Sequence, residues 1–282
     1  GFLGLNVPAA YGGGDTDDYH FAAIMAEEIG TTGVIGSANG ITLHNDIVLP
    51  YFLGLANDEQ RSRFLPGMVT GEVIGALGIT EPNTGSDVAG IRTTGLKKGG
   101  AFIVNGAKTF ISNGINSDVV IVVCRTDPEK GHRGISLLLV ERGMKGFERG
   151  RNLNKLGMHA QDTAELFFSD VEVPAENVLG EEGNGFVYLM TNLAQERLGI
   201  AVGAVAVADA ALHWTLDYTK ERKAFGQSIS QFQNSKFLLA ELATEVQIAQ
   251  VYVDRCVELH CAGELSAEQA AAAKFWTTEL QN

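Results

Sequence analysis

Positive charge is what this sequence is short of: 21 Lys and Arg stand against 34 Asp and Glu, a formal net charge of -13 at pH 7. A nucleic acid or an anionic membrane needs a basic face, so neither is expected as a partner. Cysteine is scarce, with three residues, Cys124, Cys256 and Cys261, in one strand-like and one helical run without paired metal-type spacing. They are expected to be free, buried thiols in a reducing compartment. The six histidines (His20, His44, His132, His159, His213, His260) are scattered, and no zinc constellation or other metal site is expected. No apolar run approaches the roughly 18 residues that a membrane span needs. The opening residues lack the shape of a signal peptide, and no repeat or low-complexity tract interrupts the chain.

What is present is an ordinary globular profile, 45% hydrophobic and 20% charged over 282 residues, enough for two or three domains. The opening Gly1-Phe2-Leu3-Gly4-Leu5 reads as the middle of a domain, and Phe275-Trp276-Thr277-Thr278-Glu279-Leu280-Gln281-Asn282 stops inside a helical pattern, so a fragment lacking both termini is expected. Residues 1–72 read as a helical domain. Phe21, Ile24, Met25 and Glu28 recur at helical spacing over 17–29, a second helix spans 41–55, and Asn57-Asp58-Glu59-Gln60 offers a capping box for a third. Gly12-Gly13-Gly14 lacks the strand and the Lys-Ser/Thr of a phosphate loop and reads as a flexible turn.

From about Glu72 the period changes from 3.6 to 2. Residues 73–80, 90–96, 101–104, 107–112, 118–125, 134–140 and 164–173 read as strands, with Asn105-Gly106 as a two-residue hairpin turn. Seven such strands over 73–180 predict an antiparallel barrel or sandwich. Residues 181–282 read as a helical bundle. One helix runs from Phe186 to about Arg222 without a proline, a second from Gln231 to Cys261, and a third is capped by Ser266-Ala267-Glu268-Gln269. The expected class is therefore α+β: N-terminal helices, a central antiparallel β domain, C-terminal helices.

Two stretches stand out chemically. Ala76-Leu77-Gly78-Ile79-Thr80-Glu81-Pro82-Asn83-Thr84-Gly85-Ser86-Asp87 is a strand running into a turn whose backbone amides and small hydroxyls suit a flat, phosphate-bearing ligand; on turn chemistry alone it is equally a hairpin end. Leu189, Leu193, Glu196, Ile200 and Gly203 share a helical stripe, placing the Glu196 carboxylate on an apolar face. Burial would raise its pKa toward that of a general base, while an ion pair with Arg197 or a neighbouring helix is the structural alternative.

In order along the chain, Thr80-Glu81-Pro82-Asn83-Thr84-Gly85-Ser86-Asp87, Lys108-Thr109-Phe110-Ile111-Ser112-Asn113-Gly114, Gln161-Asp162-Thr163-Ala164-Glu165-Leu166, Gln195-Glu196-Arg197-Leu198 and Glu221-Arg222-Lys223-Ala224-Phe225-Gly226-Gln227 resemble segments of the acyl-CoA dehydrogenase family. The resemblance covers essentially the whole chain and is nearest the long-chain branch, whose pattern 272–282 also matches. The first segment departs from the usual Thr-Glu-Pro-Gly-Ala-Gly-Ser-Asp at Asn83 and Thr84, and Phe110 stands where Trp is more frequent.

The resemblance implies FAD, with Leu77, Ile79 and Thr80 along the isoalloxazine, Gly85 and Ser86 at the pyrophosphate, and Phe110, Ile111 and Ser112 flanking the ring. It implies that Arg222, Phe225 and Gln233 hold the pyrophosphate and adenosine part of a second subunit's FAD; without it, this segment is a solvated helix end. Substrate contacts carry over to Ser86, Gln161, Asp162, Ala194, Gln195 and Arg197, although Gln161-Asp162 departs from the Ser-Asn of some members. Glu196 matches the base of the long-chain and isovaleryl branches. The implied reaction is α,β-dehydrogenation of a saturated acyl-CoA to trans-2-enoyl-CoA in β-oxidation. An electron-transferring flavoprotein is the implied acceptor and a homotetramer the implied assembly, in the cytoplasm of a bacterium or the mitochondrial matrix of a eukaryote. An oxidase on the same fold and a non-catalytic acyl-CoA- or flavin-binding relative are the alternatives.

Overall fold

Asn57 and Gln60 close on each other as their spacing predicts: the Gln60 N–H donates to the Asn57 side chain at 2.8 Å, and the Asn57 N–H donates to the Gln60 side chain at 3.1 Å. The helix they start, Asp58–Thr70, ends on Gly71 at φ 82°, a left-handed position that glycine adopts without a Cβ penalty. In the computed structural model, which describes residues 2–282, it is α4. Before it come α1 (His20–Thr31), α2 (Ile35–Thr42) and α3 (Leu49–Leu55); after the sheet come α5 (Gly185–Glu221), α6 (Gln233–Cys261) and α7 (Ala267–Gln281). The chain divides into two compact units, Gly1–Thr16 with Gly36–Asn192, and Asp17–Ile35 with Leu193–Asn282.

The helix predicted over 41–55 is instead divided, with a π-helical turn at Leu43–Val48 between α2 and α3. Pro50, at the start of α3, has no N–H to return to the preceding turn, which favours the wider geometry. The turn places His44, Asn45 and Asp46 inside. His44 Nδ1 accepts the Gly75 N–H at 3.1 Å and Nε2 donates to the Met68 carbonyl at 3.1 Å, a pattern that fits only the neutral ring. Burial holds its pKa below the ordinary value, and the same burial pushes the Asp46 carboxyl up to about 7. The Gly12-Gly13-Gly14 turn is packed: a Cβ on Gly13 would lie 2.0 Å from the Val7 carbonyl oxygen.

Seven strands form the sheet: β1 (Gly75–Gly78), β2 (Thr94–Lys98), β3 (Ala101–Ser112), β4 (Val119–Arg125), β5 (Ile135–Glu141), β6 (Phe147–Asn152) and β7 (Thr163–Pro174). Asn105-Gly106 is not the predicted hairpin turn but lies within the single strand β3, opposite an extra residue in β7. The register against β7 shifts between Val104 and Gly106, and Asn105 exchanges hydrogen bonds with the side chain and N–H of Asp170. Twelve-residue β7 offers β3 a continuous partner, and the turn back to β2 is made at Gly99-Gly100. The seventh strand is therefore β6, which the period-2 reading missed because Glu148, Arg149 and Arg151 mask its alternation.

The sheet is mixed rather than antiparallel. β1 pairs in parallel with β4, from Gly75 with Val119 to Gly78 with Val122, and β2 meets β4 in parallel at Thr94 with Arg125. The cause is the β2–β3 hairpin, which carries the chain back to the start of β1, where Asp118 accepts the Ile74 N–H at 2.9 Å; β4 then runs alongside β1. Val120, Val122, Leu138 and Val140 share one core with Phe102, Val104, Leu166, Phe168 and Val171, so the sheet curls into a half-barrel. The other face of β4 and β5, with Ile121, Val123, Leu137 and Leu139, packs on Leu49, Tyr51, Phe52, Leu65 and Met68. Burial on both faces explains why these strands read as continuous apolar runs.

In the second unit, Leu198, Ala201, Val202 and Val205 of α5 pack against Ala23 and Ala26 of α1, Ala249, Val253 and Cys256 of α6, and Ala273 of α7. Contrary to the sequence expectation, α5 is long and apolar enough to cross a membrane by length and composition. Its small side chains serve instead as the close-packed centre of this bundle. On α1 the buried positions are Ala23, Met25, Ala26 and Gly30, while Phe21 and Ile24 are exposed. Cys124 and Cys256 are buried as expected; Cys261, at the end of α6, is exposed.

Candidate active site

The turn after β1 is built on a buried charge. Glu81 accepts the Arg92 N–H at 2.6 Å, the Thr93 N–H at 2.9 Å and Lys108 Nζ at 2.8 Å, and Lys108 also donates to the Ile79 carbonyl at 3.0 Å. The two side chains are 6% and 0% exposed. Burial opposes ionisation of both groups. It lowers the Lys108 pKa, whereas for Glu81 the Lys108 charge and the surrounding N–H donors outweigh burial and hold the carboxyl below its ordinary value. Reciprocal bonds between Glu81 and Thr84 close the turn, and the Thr109 N–H donates to the Thr80 carbonyl at 2.9 Å, extending the pairing of β1 toward β3.

On this fixed base the structure displays Pro82, Asn83, Gly85 and Ser86. A Cβ on Gly85 would meet nothing within 4 Å, so its backbone faces open space. Thr80 is half-buried, as are Leu77 and Ile79, which pack against the helix-facing core. Phe110 lies at the second register shift of β3, at φ 59° and 68% exposed. An aromatic residue in the left-handed region costs on the order of 1–2 kcal/mol, and here its ring gains no burial in return. Ser112 is half-buried, whereas Ile111 is 3% exposed with its side chain in the sheet core, leaving its backbone for any ligand contact.

Gln161 and Asp162 are both buried and engaged. Asp162 accepts the Ile115 N–H at 2.7 Å and the Asn116 side-chain amide at 2.9 Å, and Gln161 donates to the Asn113 side chain at 2.9 Å. They brace the turn after β3, with Arg142 and Arg149 capping its carbonyls at Gly114, Ile115, Asn116 and Ser117. The sequence assigned Lys108 no role, because a lysine on a strand reads as solvent-facing. The one signal that could have found it is the inward register it shares with Val104 and Phe102.

In the second unit, Ala194, Gln195, Glu196 and Arg197 are half-buried on α5. The stripe that holds Glu196 runs from Leu189, 2% exposed, to Ile200, 42% exposed, so it is buried at one end only. Arg222 follows α5 and is exposed; its N–H donates to the Tyr218 carbonyl, and its carbonyl accepts the Ile229 N–H. Between them β8 (Lys223–Ala224) and β9 (Gln227–Ser228) form a hairpin whose turn residues, Phe225 at φ 52° and Gly226 at φ 82°, are both left-handed. Phe225 is 96% exposed, and Gln233, the first residue of α6, is exposed.

Three family models match in succession: the acyl-CoA dehydrogenase N-terminal domain over residues 1–72, the middle domain over 76–171 and the C-terminal domain over 183–282. The long-chain specific acyl-CoA dehydrogenase of Sus scrofa mitochondria is 48% identical, over 100% of this chain and 65% of its own length. The acyl-CoA dehydrogenase of Bacillus subtilis (strain 168) is 36% identical over 99% of this chain and 73% of its length. A crystal structure of acyl-CoA dehydrogenase from Geobacillus kaustophilus superposes with a TM-score of 0.97 at 50% identity, covering 100% of this chain and 74% of that one. The chain thus spans 65% of the length of the mammalian relatives it matches. Order of domains, fold and sequence agree along its whole length, and the chain belongs to the acyl-CoA dehydrogenase family.

Proposed function

We propose that the full-length protein binds FAD and removes two hydrogens from the Cα–Cβ bond of a saturated acyl-CoA thioester, giving trans-2-enoyl-CoA, with Glu196 as the base. The observation that carries this reading is the turn after β1: a rigid shelf, pinned by the buried Glu81–Lys108 pair, that presents open backbone at Gly85 and a hydroxyl at Ser86, with the exposed Phe110 on β3. These groups fit a flavin. Amides at Gly85 and Ser86 suit a pyrophosphate, Thr80 and Ser112 offer hydroxyls to the ring edge, and Phe110 is an aromatic face awaiting cover.

FAD, when bound, supplies the two-electron acceptor for the β-hydride. The chain's part is to orient the substrate and to move the α-proton. The Glu196 carboxylate takes the pro-R α-proton onto an Oε atom, and Ala194, Gln195 and Arg197 on the same helical turn line the acyl chain. Arg222, a fork-shaped donor on an exposed hairpin base, would hold phosphate oxygens of a second subunit's FAD in a homotetramer, and Phe225 and Gln233 would hold its adenosine part. An electron-transferring flavoprotein would be the acceptor for the electrons that the flavin takes up. The long-chain specificity named for the Sus scrofa relative makes long-chain esters the first substrates to test.

The test is flavin reduction on mixing the full-length protein with saturated acyl-CoA esters. Glu196→Gln should retain ligand binding, read by the flavin spectral shift, and lose about 10²–10⁴-fold or more in reduction rate. A rate within about tenfold of the parent, ~1.4 kcal/mol, places the base elsewhere. Oxygen consumption without an added acceptor would identify an oxidase instead.

A further inference from the structure

Asp18, His20 and Cys261 lie 241 or more positions apart in sequence across the cysteine, yet converge at one point within the second unit. Their donor atoms all lie within 4.8 Å of one another. Cys261 Sγ is 3.5 Å from His20 Nδ1 and 3.7 Å from Asp18 Oδ1, and His20 Nδ1 is 2.5 Å from the same Asp18 oxygen. We propose that these three side chains form a surface site for a divalent transition-metal ion of the zinc class, which would staple the start of α1 to the end of α6.

The geometry supports a metal over the other chemistry open to a Cys, a His and an Asp. In a nucleophilic relay the imidazole stands between thiol and carboxylate and uses both ring nitrogens. Here sulfur and carboxylate oxygen converge on the same nitrogen, so His20 cannot pass a proton from one to the other. For a tetrahedral ion with ordinary zinc bond lengths, S···N and S···O edges are each about 3.6 Å and the N···O edge about 3.4 Å. Both sulfur edges already have this length. The shorter His20–Asp18 separation is that of a hydrogen bond, which an ion would open by somewhat under ~1 Å.

The ligands are also held in place. The His20 N–H donates to the Asp18 carboxylate at 3.0 Å, fixing that side chain at the head of α1. Tyr19, between the first two ligands, packs edge-on against His260, beside the third, with ring centroids 4.7 Å apart. Thus the two ligand-bearing segments are locked by their neighbours, the support that metal sites require. His20 and Asp18 side chains are 50% and 51% exposed and Cys261 is exposed, so an aqueous ion has a path in and water can complete the coordination. One thiolate, one imidazole and one carboxylate select zinc, cobalt or nickel over magnesium and calcium, which take oxygen ligands. Binding releases the thiol proton to solvent and changes no oxidation state.

Titrating the reduced full-length protein with Co²⁺ tests this directly. The expected result is a thiolate-to-cobalt charge-transfer band and tetrahedral visible bands that saturate at a single equivalent, are displaced by Zn²⁺ and are untouched by Mg²⁺. Cys261→Ser should abolish the charge-transfer band, and His20→Ala should weaken binding by at least about tenfold. In the unsubstituted protein, Zn²⁺ should protect Cys261 from alkylation, a readout specific to it because Cys124 and Cys256 are buried. No band, a band that survives Cys261→Ser, His20→Ala binding equal to the parent's, or alkylation unaffected by Zn²⁺ would each overturn the proposal.

Discussion

The turn after β1 and the hairpin after α5 carry two motifs of the same family, yet are built in opposite ways. Around Thr80 the displayed groups rest on a buried ion pair, four charge-assisted bonds and, through Leu77 and Ile79, the helix-facing core. Around Arg222 there is a two-residue hairpin, a strained Phe225 standing 96% exposed, and a run of exposed side chains from Glu221 to Arg222 and Lys223. The first region supplies its own rigidity and can be read as a preorganised shelf. The second presents exposed groups on a short hairpin, as the proposal that this segment serves a neighbouring subunit's cofactor requires. Damage to the first should therefore register as lost folding stability, and damage to the second as lost ligand.

The largest effect is expected at the buried pair. Lys108→Met leaves the Glu81 carboxylate without its cation and should cost about 3–5 kcal/mol in denaturant unfolding. Adding Glu81→Met should recover much of that, because a matched apolar pair avoids the desolvation of both charges. A single-variant loss below about 1 kcal/mol would mean that the shelf does not depend on the pair.

Asp46 sharpens the same contrast through pH. Its pKa is about 7 in the fold against an ordinary 3.8, so the fold favours the protonated form. The stability this contributes is complete below about pH 3.8 and is lost as pH rises through 7; a shift of this size corresponds to about 4 kcal/mol. Asp46→Asn should match the parent near pH 4 and exceed it by several kcal/mol at pH 8, as read by urea midpoints across that range. His44 acts in the opposite direction: its pKa is lowered by burial, so the stability of the neutral ring is present above about 6.5 and lost as pH falls below it. Parent and variant share that acid limb, and a difference between them that is flat with pH would remove Asp46 as its source.

The smallest folding effect is expected at the hairpin. Arg222→Ala should leave unfolding within about ±0.5 kcal/mol, as for an exposed substitution, while FAD retention by the full-length protein falls by about 1.5–3 kcal/mol. Unchanged FAD affinity would return this segment to an ordinary solvated helix end.

Local chemistry was legible from residues alone wherever neighbours in sequence are neighbours in space. The Asn57–Gln60 and Ser266–Gln269 capping boxes, the proline-free α5 and the apolar runs of β4 and β5 follow from propensity, caps and period, and the motif order pointed to the family. Tertiary structure decided the rest. Asn105-Gly106 carries a strong turn signal that lost to β7, because a long pairing partner outweighs a two-residue preference. The parallel β1–β4 pairing follows from where the β2–β3 hairpin returns the chain, which no local period encodes. Lys108 became a buried cation only because Glu81, 27 positions earlier, folds onto it. Asp18, His20 and Cys261 meet because α1 packs beside α6 in one bundle, bringing together donors whose sequence spacing carries no metal signature.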